Sequence, residues 1–328
     1  MALYLSIDGG GTKCIAVLFD ENLTLLGKGL SGGINTTQNS PETARQHMAE
    51  CLDQALESHM GQPLHLTYLN LVGDRVMMEQ LLRERVEVNA IHHFSEPGAA
   101  LLAGMLAQEG LVAHAGTGSD AFWVGDIPSL KDIPYERGGV VGSWGPILGD
   151  QGSGAWIGQQ ALLHIVRAVD GWDTPTLMTD LLMQEWSLAR PYDMVPKVYR
   201  NPAPFRLAAS LTKMVGRAAD AGDEPALNIL AQAGIQMAEQ TACLVRRLPY
   251  LAAQKQVLCA GGAWKSHIRM FTAFGEHLAK LGITAQPVKP AFDPVAAGPV
   301  HTALEQGLPP QHVRCLVAQH FPHLVNTW

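Results

Sequence analysis

One design occurs twice in this chain, and that duplication constrains the fold more than any other feature. In the first copy, the apolar run 3–7 meets Asp8, then Gly9, Gly10, Gly11, Thr12 and Lys13, and a second apolar run, 14–19, leaves the turn. In the second, residues 111–114 lead into Gly116-Thr117-Gly118-Ser119-Asp120, and residues 121–124 lead out. Each reads as strand, tight turn, strand. Adjacent glycines accept positive φ and let a ligand come close to the backbone. Successive peptide N–H groups in such a turn form a concave anion site. Taken singly, each turn fits a ligand-free hairpin equally well. A chain that builds the unit twice is expected to fold as two related halves, and 328 residues are enough for two cores.

The remaining pattern alternates strands and helices, which predicts an α/β fold. Ser40 reads as an N-cap and Pro41 as the first helical residue, with Ala44, Met48, Cys51, Leu52, Ala55 and Leu56 on one face. Strands are expected at 64–72 and 88–94, and helices at 74–86 and from Glu96 to about residue 108. A glycine-rich loop follows, containing Gly142-Ser143-Trp144-Gly145 and Gly149-Asp150-Gln151-Gly152-Ser153-Gly154. Residues 154–169 and most of 176–247 have helical period, with breaks at Pro191, at 201–204 and at Gly222. A strand at 255–259 ends in a third turn, Ala260-Gly261-Gly262-Ala263-Trp264-Lys265-Ser266. A strand at 284–288 and helices opened by Asp293-Pro294 and Pro310 complete the chain.

Composition narrows the partners. The chain is 47% hydrophobic and 16% charged, an ordinary globular balance, and its net charge of −7 without a basic patch argues against nucleic acid. No apolar run approaches the roughly 20 residues of a membrane helix. Asp8 interrupts the first apolar run and no basic segment precedes it, so no secretory signal is read here. The five cysteines (Cys14, Cys51, Cys243, Cys259 and Cys315) are widely spaced, odd in number and without a C-x-x-C pair. They read as reduced core thiols of a cytoplasmic protein. None of the 13 histidines has zinc-site spacing with cysteine.

Several single residues admit two readings. Asp8, at a strand end, suits a metal ion held directly or through water, and Thr12 suits a phosphate oxygen. Glu96 is either a catalytic carboxylate or a first-turn acid complementing a helix dipole. Asp150 is a ligand group, a helix N-cap, or both. Trp264 is core packing or a ligand wall, and Lys265 a nucleotide contact or a solvated side chain.

The ordered set Asp8-Gly9-Gly10-Gly11-Thr12-Lys13, Asn35, Gly116-Thr117-Gly118-Ser119, Trp144-Gly145, Gly149-Asp150-Gln151-Gly152-Ser153 and Gly262-Ala263-Trp264-Lys265-Ser266 resembles the actin/Hsp70/sugar-kinase superfamily. It is closest to the N-acetylglucosamine kinase branch of the BadF/BadG/BcrA/BcrD ATPase group. The resemblance implies a two-lobed actin-like fold, a duplicated ribonuclease H-like design with an interlobe cleft. The lobes would be 1–115 plus 297–328, and 116–296. It implies ATP and Mg²⁺ as cofactors. Gly9, Gly10, Gly11, Thr12 and Lys13 would wrap the phosphates from one lobe, with Asp8 toward the metal. Gly116, Thr117, Gly118 and Ser119 would hold them from the other, while Gly261, Gly262 and Lys265 serve the nucleoside. Asn35, Glu96, Asp120, Trp144, Gly145, Asp150 and Gln151 would form the sugar side.

The implied reaction is phosphorylation of an amino sugar, foremost N-acetylglucosamine at its 6-hydroxyl, with Asp8 and Glu96 as the catalytic carboxylates. Glu96 stands where the family places Asp, one methylene longer, as the base. Asp120 replaces a frequent Asn and Gln151 a frequent Glu. An acidic Asp120 would welcome the ammonium group of glucosamine. Two alternatives stay open: an ATPase activator of the BadF type, whose relatives carry an iron–sulfur cluster on paired cysteines, and a sugar or nucleotide sensor without turnover. The expected partner is a small-molecule sugar, with no nucleic acid or membrane, and the resemblance leaves a homodimer open.

Overall fold

The computed structural model describes residues 1–127 and 138–328. The chain divides into two compact units, Met1–Glu109 with Pro290–Trp328, and Gly110–Lys289. The first division falls ahead of the strand that carries the second glycine turn, so that strand stays whole with its sheet. The second falls ahead of Ala291, whose N–H donates to the Gly104 carbonyl of the first unit (2.9 Å).

The first unit is built on β1 (Leu3–Gly9), β2 (Lys13–Asp20), β3 (Leu25–Gly32), β4 (Leu66–Leu71) and β5 (Ile91–His93), in the order β3-β2-β1-β4-β5. The pairs β1/β2 and β2/β3 are antiparallel; β1/β4 and β4/β5 are parallel. Parallel neighbours need crossovers. Helices α1 (Pro41–Leu56), α2 (Arg75–Arg83) and α3 (Glu96–Met105) occupy the connections that follow β3, β4 and β5. The period-2 geometry of a strand sends Ala16 and Leu18 of β2 to one face, with Met48, Leu52 and Leu82. It sends Val17 and Phe19 to the other, with Tyr68, Val300 and Phe321. A strand buried on both faces is apolar throughout, which is why 14–19 is a continuous hydrophobic run.

Local signals set the helix starts. The Ser40 side chain accepts from the Thr43 N–H and Pro41 opens α1, whose buried residues are the six expected from the pattern. Asp74 and Ser95 cap α2 and α3 in the same way. Two ends differ from expectation. The strand at 88–94 contracts to β5, with Val88 left in an isolated bridge to Leu64. Helix α3 stops at Met105 because Leu106 turns left-handed (φ 55°). Tertiary packing also joins what the sequence separates: Cys14 of β2 and Cys51 of α1 share a side-chain hydrogen bond in the core.

The second unit repeats the sheet. Its strands are β6 (Gly110–Ala115), β7 (Ser119–Val124), β8 (Val140–Gly142), β9 (Gln256–Ala260) and β10 (Gln286–Val288). Their order is β10-β9-β6-β7-β8. Read from the other edge, β8-β7-β6-β9-β10 matches β3-β2-β1-β4-β5 strand for strand, including each parallel or antiparallel pairing. The segment 176–247 is mostly helical, with breaks at 187–190, 200–203, 211 and 221–223; Pro191, expected to break a helix, instead opens a short one, because the preceding helix already ends at the left-handed Ser187. Trp264 is a core residue: its Nε1–H donates to the Ala113 carbonyl (3.1 Å) and its ring meets Phe274 edge-on at 5.0 Å. No described helix is long and apolar enough to cross a membrane.

Helix α1 lies directly on β3. A Cβ added at Gly29 would stand 1.9 Å from the Cys51 carbonyl oxygen, a backbone atom that cannot swing aside. Gly29→Ala is therefore expected to lower stability by about 1–3 kcal/mol, as overpacking does. Urea denaturation measures it, and an unchanged midpoint would contradict this packing.

Candidate active site

The first turn carries a charged cluster at the end of β1. Asp8 is the penultimate residue of that strand and lies in register with Asn70 of the parallel strand β4. The Asn70 Nδ2–H donates to Asp8 Oδ1 (2.6 Å). Lys13 Nζ stands 3.9 Å from Asp293 Oδ2. Burial pushes the Asp8 carboxyl up to about 6; Lys13 and the Asn70 amide pull it down, and the nearby Glu96 and Asp293 carboxylates push it up again. Carboxylates that repel one another at a strand end form a place where a cation is favourable. Among the described residues no group of three metal-ligating side chains forms a closed site. Glu96 is exposed and is the first residue of α3, next to its cap Ser95.

The turn itself is open on one side. The Gly10 N–H donates to the Lys13 carbonyl (3.0 Å), and the Gly10 carbonyl accepts from the N–H groups of Ile34 (2.8 Å) and Asn35 (3.2 Å). Among the described residues, the N–H groups of Gly11 and Thr12 make no bond within the chain. The three glycines differ. A Cβ on Gly9 would strike Ile34 at 2.4 Å, whereas one on Gly10 would meet nothing within 4 Å. Gly9 serves the core, and Gly10 the open side. Asn35 Oδ1 accepts from the N–H (2.9 Å) and hydroxyl (2.8 Å) of Thr37, so what it offers a ligand is its Nδ2 donor pair.

The second turn has the same open pair. The carbonyls of Gly116 and Thr117 accept from Gly154 N–H (2.8 Å) and Ala155 N–H (3.3 Å), at the start of a helix running from Gly154 to Val169. The N–H groups of Thr117 and Gly118 make no bond within the described chain. Beside them Asp150 is buried at φ 62°, its carboxylate accepting from the Ser119 and Gly145 N–H groups. Burial raises its carboxyl, the neighbouring Asp120 adds to this, and those N–H groups and His114 oppose it. Asp150 is not the helix cap, since the Ser153 hydroxyl accepts from Trp156 N–H (3.1 Å) in that role. The Gln151 carbonyl accepts from Ser119 Oγ (2.8 Å) and Gln240 Nε2 (2.8 Å), while its side chain is exposed.

Asp120 is 8% exposed, with Oδ1 lying 3.1 Å from His114 Nδ1 and Oδ2 accepting from the Ser143 hydroxyl. Both oxygens are thus engaged by the chain itself. Trp144 is half-exposed and precedes Gly145, at φ 79°. In the third turn Gly261 stands at φ 105°, where a Cβ would meet the Ala115 carbonyl at 2.4 Å; it packs on the second turn. Gly262 alone faces open space, and Lys265 is exposed nearby. Each unit therefore gathers its own subset: Asp8 to Lys13, Asn35 and Glu96 in the first, and Gly116 to Asp120, Asp150 and Gln151 in the second. Asn70, Asp293, His114 and Ser143 join these clusters through tertiary pairing that residue type and spacing do not reveal. The one available signal was Asn70, a polar residue at the end of an apolar strand.

The sign of the Asp8 shift makes a prediction. Its folded value, about 6, exceeds the ordinary 3.8, so the folded state binds the proton more tightly. Stability therefore falls as pH rises between those values, and the penalty is complete above the folded one. Asp8→Asn removes the charge, so it should stabilise the protein at pH 8 by on the order of 3 kcal/mol and at pH 5 by about half as much. Urea midpoints in a chelating buffer test this; equal shifts at both pH values would contradict it.

Comparison with known proteins places this geometry. Residues 5–297 match the model of the BadF/BadG/BcrA/BcrD ATPase family. The N-acetylmuramic acid/N-acetylglucosamine kinase of Clostridium acetobutylicum is 23% identical over 286 residues, 85% of this chain and 90% of that protein. The N-acetyl-D-glucosamine kinase of Dictyostelium discoideum is 25% identical over 269 residues, 75% of this chain and 80% of that one. A ROK family glucokinase from Streptomyces griseus, solved with glucose and AMPPNP, shares the fold with a TM-score of 0.60 at 15% identity, covering 93% of this chain and 99% of its own. With residues 5–297 of its 328 matched by the family model, the chain belongs to the BadF/BadG/BcrA/BcrD ATPase family.

Proposed function

We propose that the chain phosphorylates an amino sugar with ATP, foremost N-acetylglucosamine at its 6-hydroxyl. The observation that carries this reading is the pair of turns, each ending the first strand of its sheet and each offering two unengaged N–H groups to an anion. Phosphoryl transfer asks mainly for positioning and charge stabilisation, which such amides and a metal supply. The sugar-kinase names of the relatives support the acceptor class.

In this reading Gly10, Gly11, Thr12 and Lys13 bind phosphate oxygens from the first unit, and Gly116, Thr117, Gly118 and Ser119 from the second. Gly262 and Lys265 lie along the nucleoside. Asp8 holds Mg²⁺ through its carboxylate, and the metal supplies neutralisation of phosphate charge. Asn35, Trp144, Gly145, Asp150 and Gln151 bind the sugar. The acceptor oxygen attacks the γ-phosphorus as the bond to the ADP oxygen breaks, and its proton passes to the Glu96 carboxylate. A reducing compartment fits the free thiols at Cys14, Cys51, Cys243, Cys259 and Cys315. The contacting pair Cys14 and Cys51 is buried, which is unsuited to bridging two subunits with a cluster.

The test is ADP release from MgATP across a panel of hexoses and amino sugars. Release stimulated by N-acetylglucosamine is expected; sugar-independent release indicates an ATPase, and calorimetric binding without turnover indicates a sensor. Glu96→Gln should lower kcat by about 10²-fold or more, with acceptor affinity within about threefold of the parent. Unchanged kcat would remove Glu96 from the base role.

A further inference from the structure

Among the described residues, few non-glycine ones stand in the left-handed region: Leu23, Leu106, Ser143, Asp150 and Ser187. Two of these, Ser143 and Asp150, are tied to the same short segment. Asp150 accepts from the Ser119 N–H, and the Ser143 N–H donates to the Ser119 carbonyl (3.1 Å). A left-handed conformation is costly for a residue with a Cβ and persists where neighbours over-determine it. For Ser143, at φ 56°, the second constraint is its hydroxyl, which donates to Asp120 Oδ2. Asp120 Oδ1 meets His114 Nδ1 at 3.1 Å, and His114 Nε2 lies 3.2 Å from where a Cβ on Gly116 would stand. A continuous series of contacts thus runs from the phosphate turn through His114, Asp120 and Ser143 to Trp144 and Gly145.

We infer that Asp120 is a positioning residue and not a ligand of the acceptor. One carboxylate oxygen holds Ser143 left-handed and so aims Trp144 and Gly145. The other fixes His114 against the Gly116 turn. The inference rests on reading the Trp144 segment as the acceptor wall of a sugar kinase. It carries a consequence for specificity: the Asp120 charge is already shared by two partners, so it does not choose between glucosamine and N-acetylglucosamine.

The experiment compares Asp120→Ala, Ser143→Ala and Ser143→Gly with the parent, using N-acetylglucosamine and glucosamine as acceptors. Asp120→Ala should lower kcat/KM for both sugars by about tenfold, with their ratio preserved within about twofold. Ser143→Ala should raise the acceptor KM roughly fivefold, and Ser143→Gly should recover most of that loss, because glycine adopts the conformation without the hydroxyl. A ratio changed by about tenfold in Asp120→Ala would mean direct contact with the sugar amine and overturn the proposal. So would Ser143→Gly as weak as Ser143→Ala, since the hydroxyl itself would then be the contact. A parent protein that phosphorylates neither sugar refutes the kinase reading alone. In that event amide exchange of residues 140–149 still decides the inference: faster exchange in Asp120→Ala and Ser143→Ala supports it, and unchanged exchange overturns it.

Discussion

The candidate site of the first unit is built around a carboxylate kept where burial disfavours it. Asp8 sits at the end of β1, the central strand of a sheet packed on both faces, and its carboxyl is pushed up to about 6. The Asn70 amide and Lys13 hold the ionised form in place, and Glu96 and Asp293 work against it. A carboxylate balanced in this way gains from any added positive charge, and the topology sets where that charge would sit. Parallel strands β1 and β4 end together, and ligands of α/β sheets bind at the carboxyl ends of strands. The Asp8–Asn70 contact is the local form of that rule.

Duplication supplied a second copy of the same scaffold, and the two copies have been furnished differently. His114 holds in β6 the place that Asp8 holds in β1, one residue before the strand ends. Its partner is Asp120 on the antiparallel neighbour, whereas Asp8 has Asn70 on the parallel one. The turn that follows has unengaged amides in both. Backbone chemistry is therefore common to the two halves, and side-chain charge is particular to each. The first half places a buried carboxylate at this position, and the second a histidine tied to the carboxylate of its neighbouring strand.

Local features were legible in the sequence because their causes are local. Ser40 and Pro41 start α1, and the 3.6-residue spacing of Ala44 to Leu56 names its buried face. The glycine turns and the break at Gly222 are equally short-range. Long-range pairing was not legible. The register that sets Asp8 beside Asn70, the return of Asp293 to Lys13, and the contact of Cys14 with Cys51 depend on tertiary packing. Sequence also cannot sort one glycine from its neighbour. Gly9 faces the core and Gly10 open space; Gly261 packs on the Ala115 carbonyl and Gly262 on nothing. Asp120 reads as an available acid until Ser143 and His114 are seen to occupy it.

The central claim is that burial and neighbouring carboxylates raise the Asp8 carboxyl and direct it toward a cation. Its side-chain carbon, observed by ¹³C NMR in aspartate-labelled protein and assigned with Asp8→Asn, reports its protonation directly. The account predicts titration near 6 in metal-free protein. It also predicts a fall of about one unit or more when Mg²⁺ and ADP are added. Titration near the ordinary carboxylate value in both conditions would contradict it.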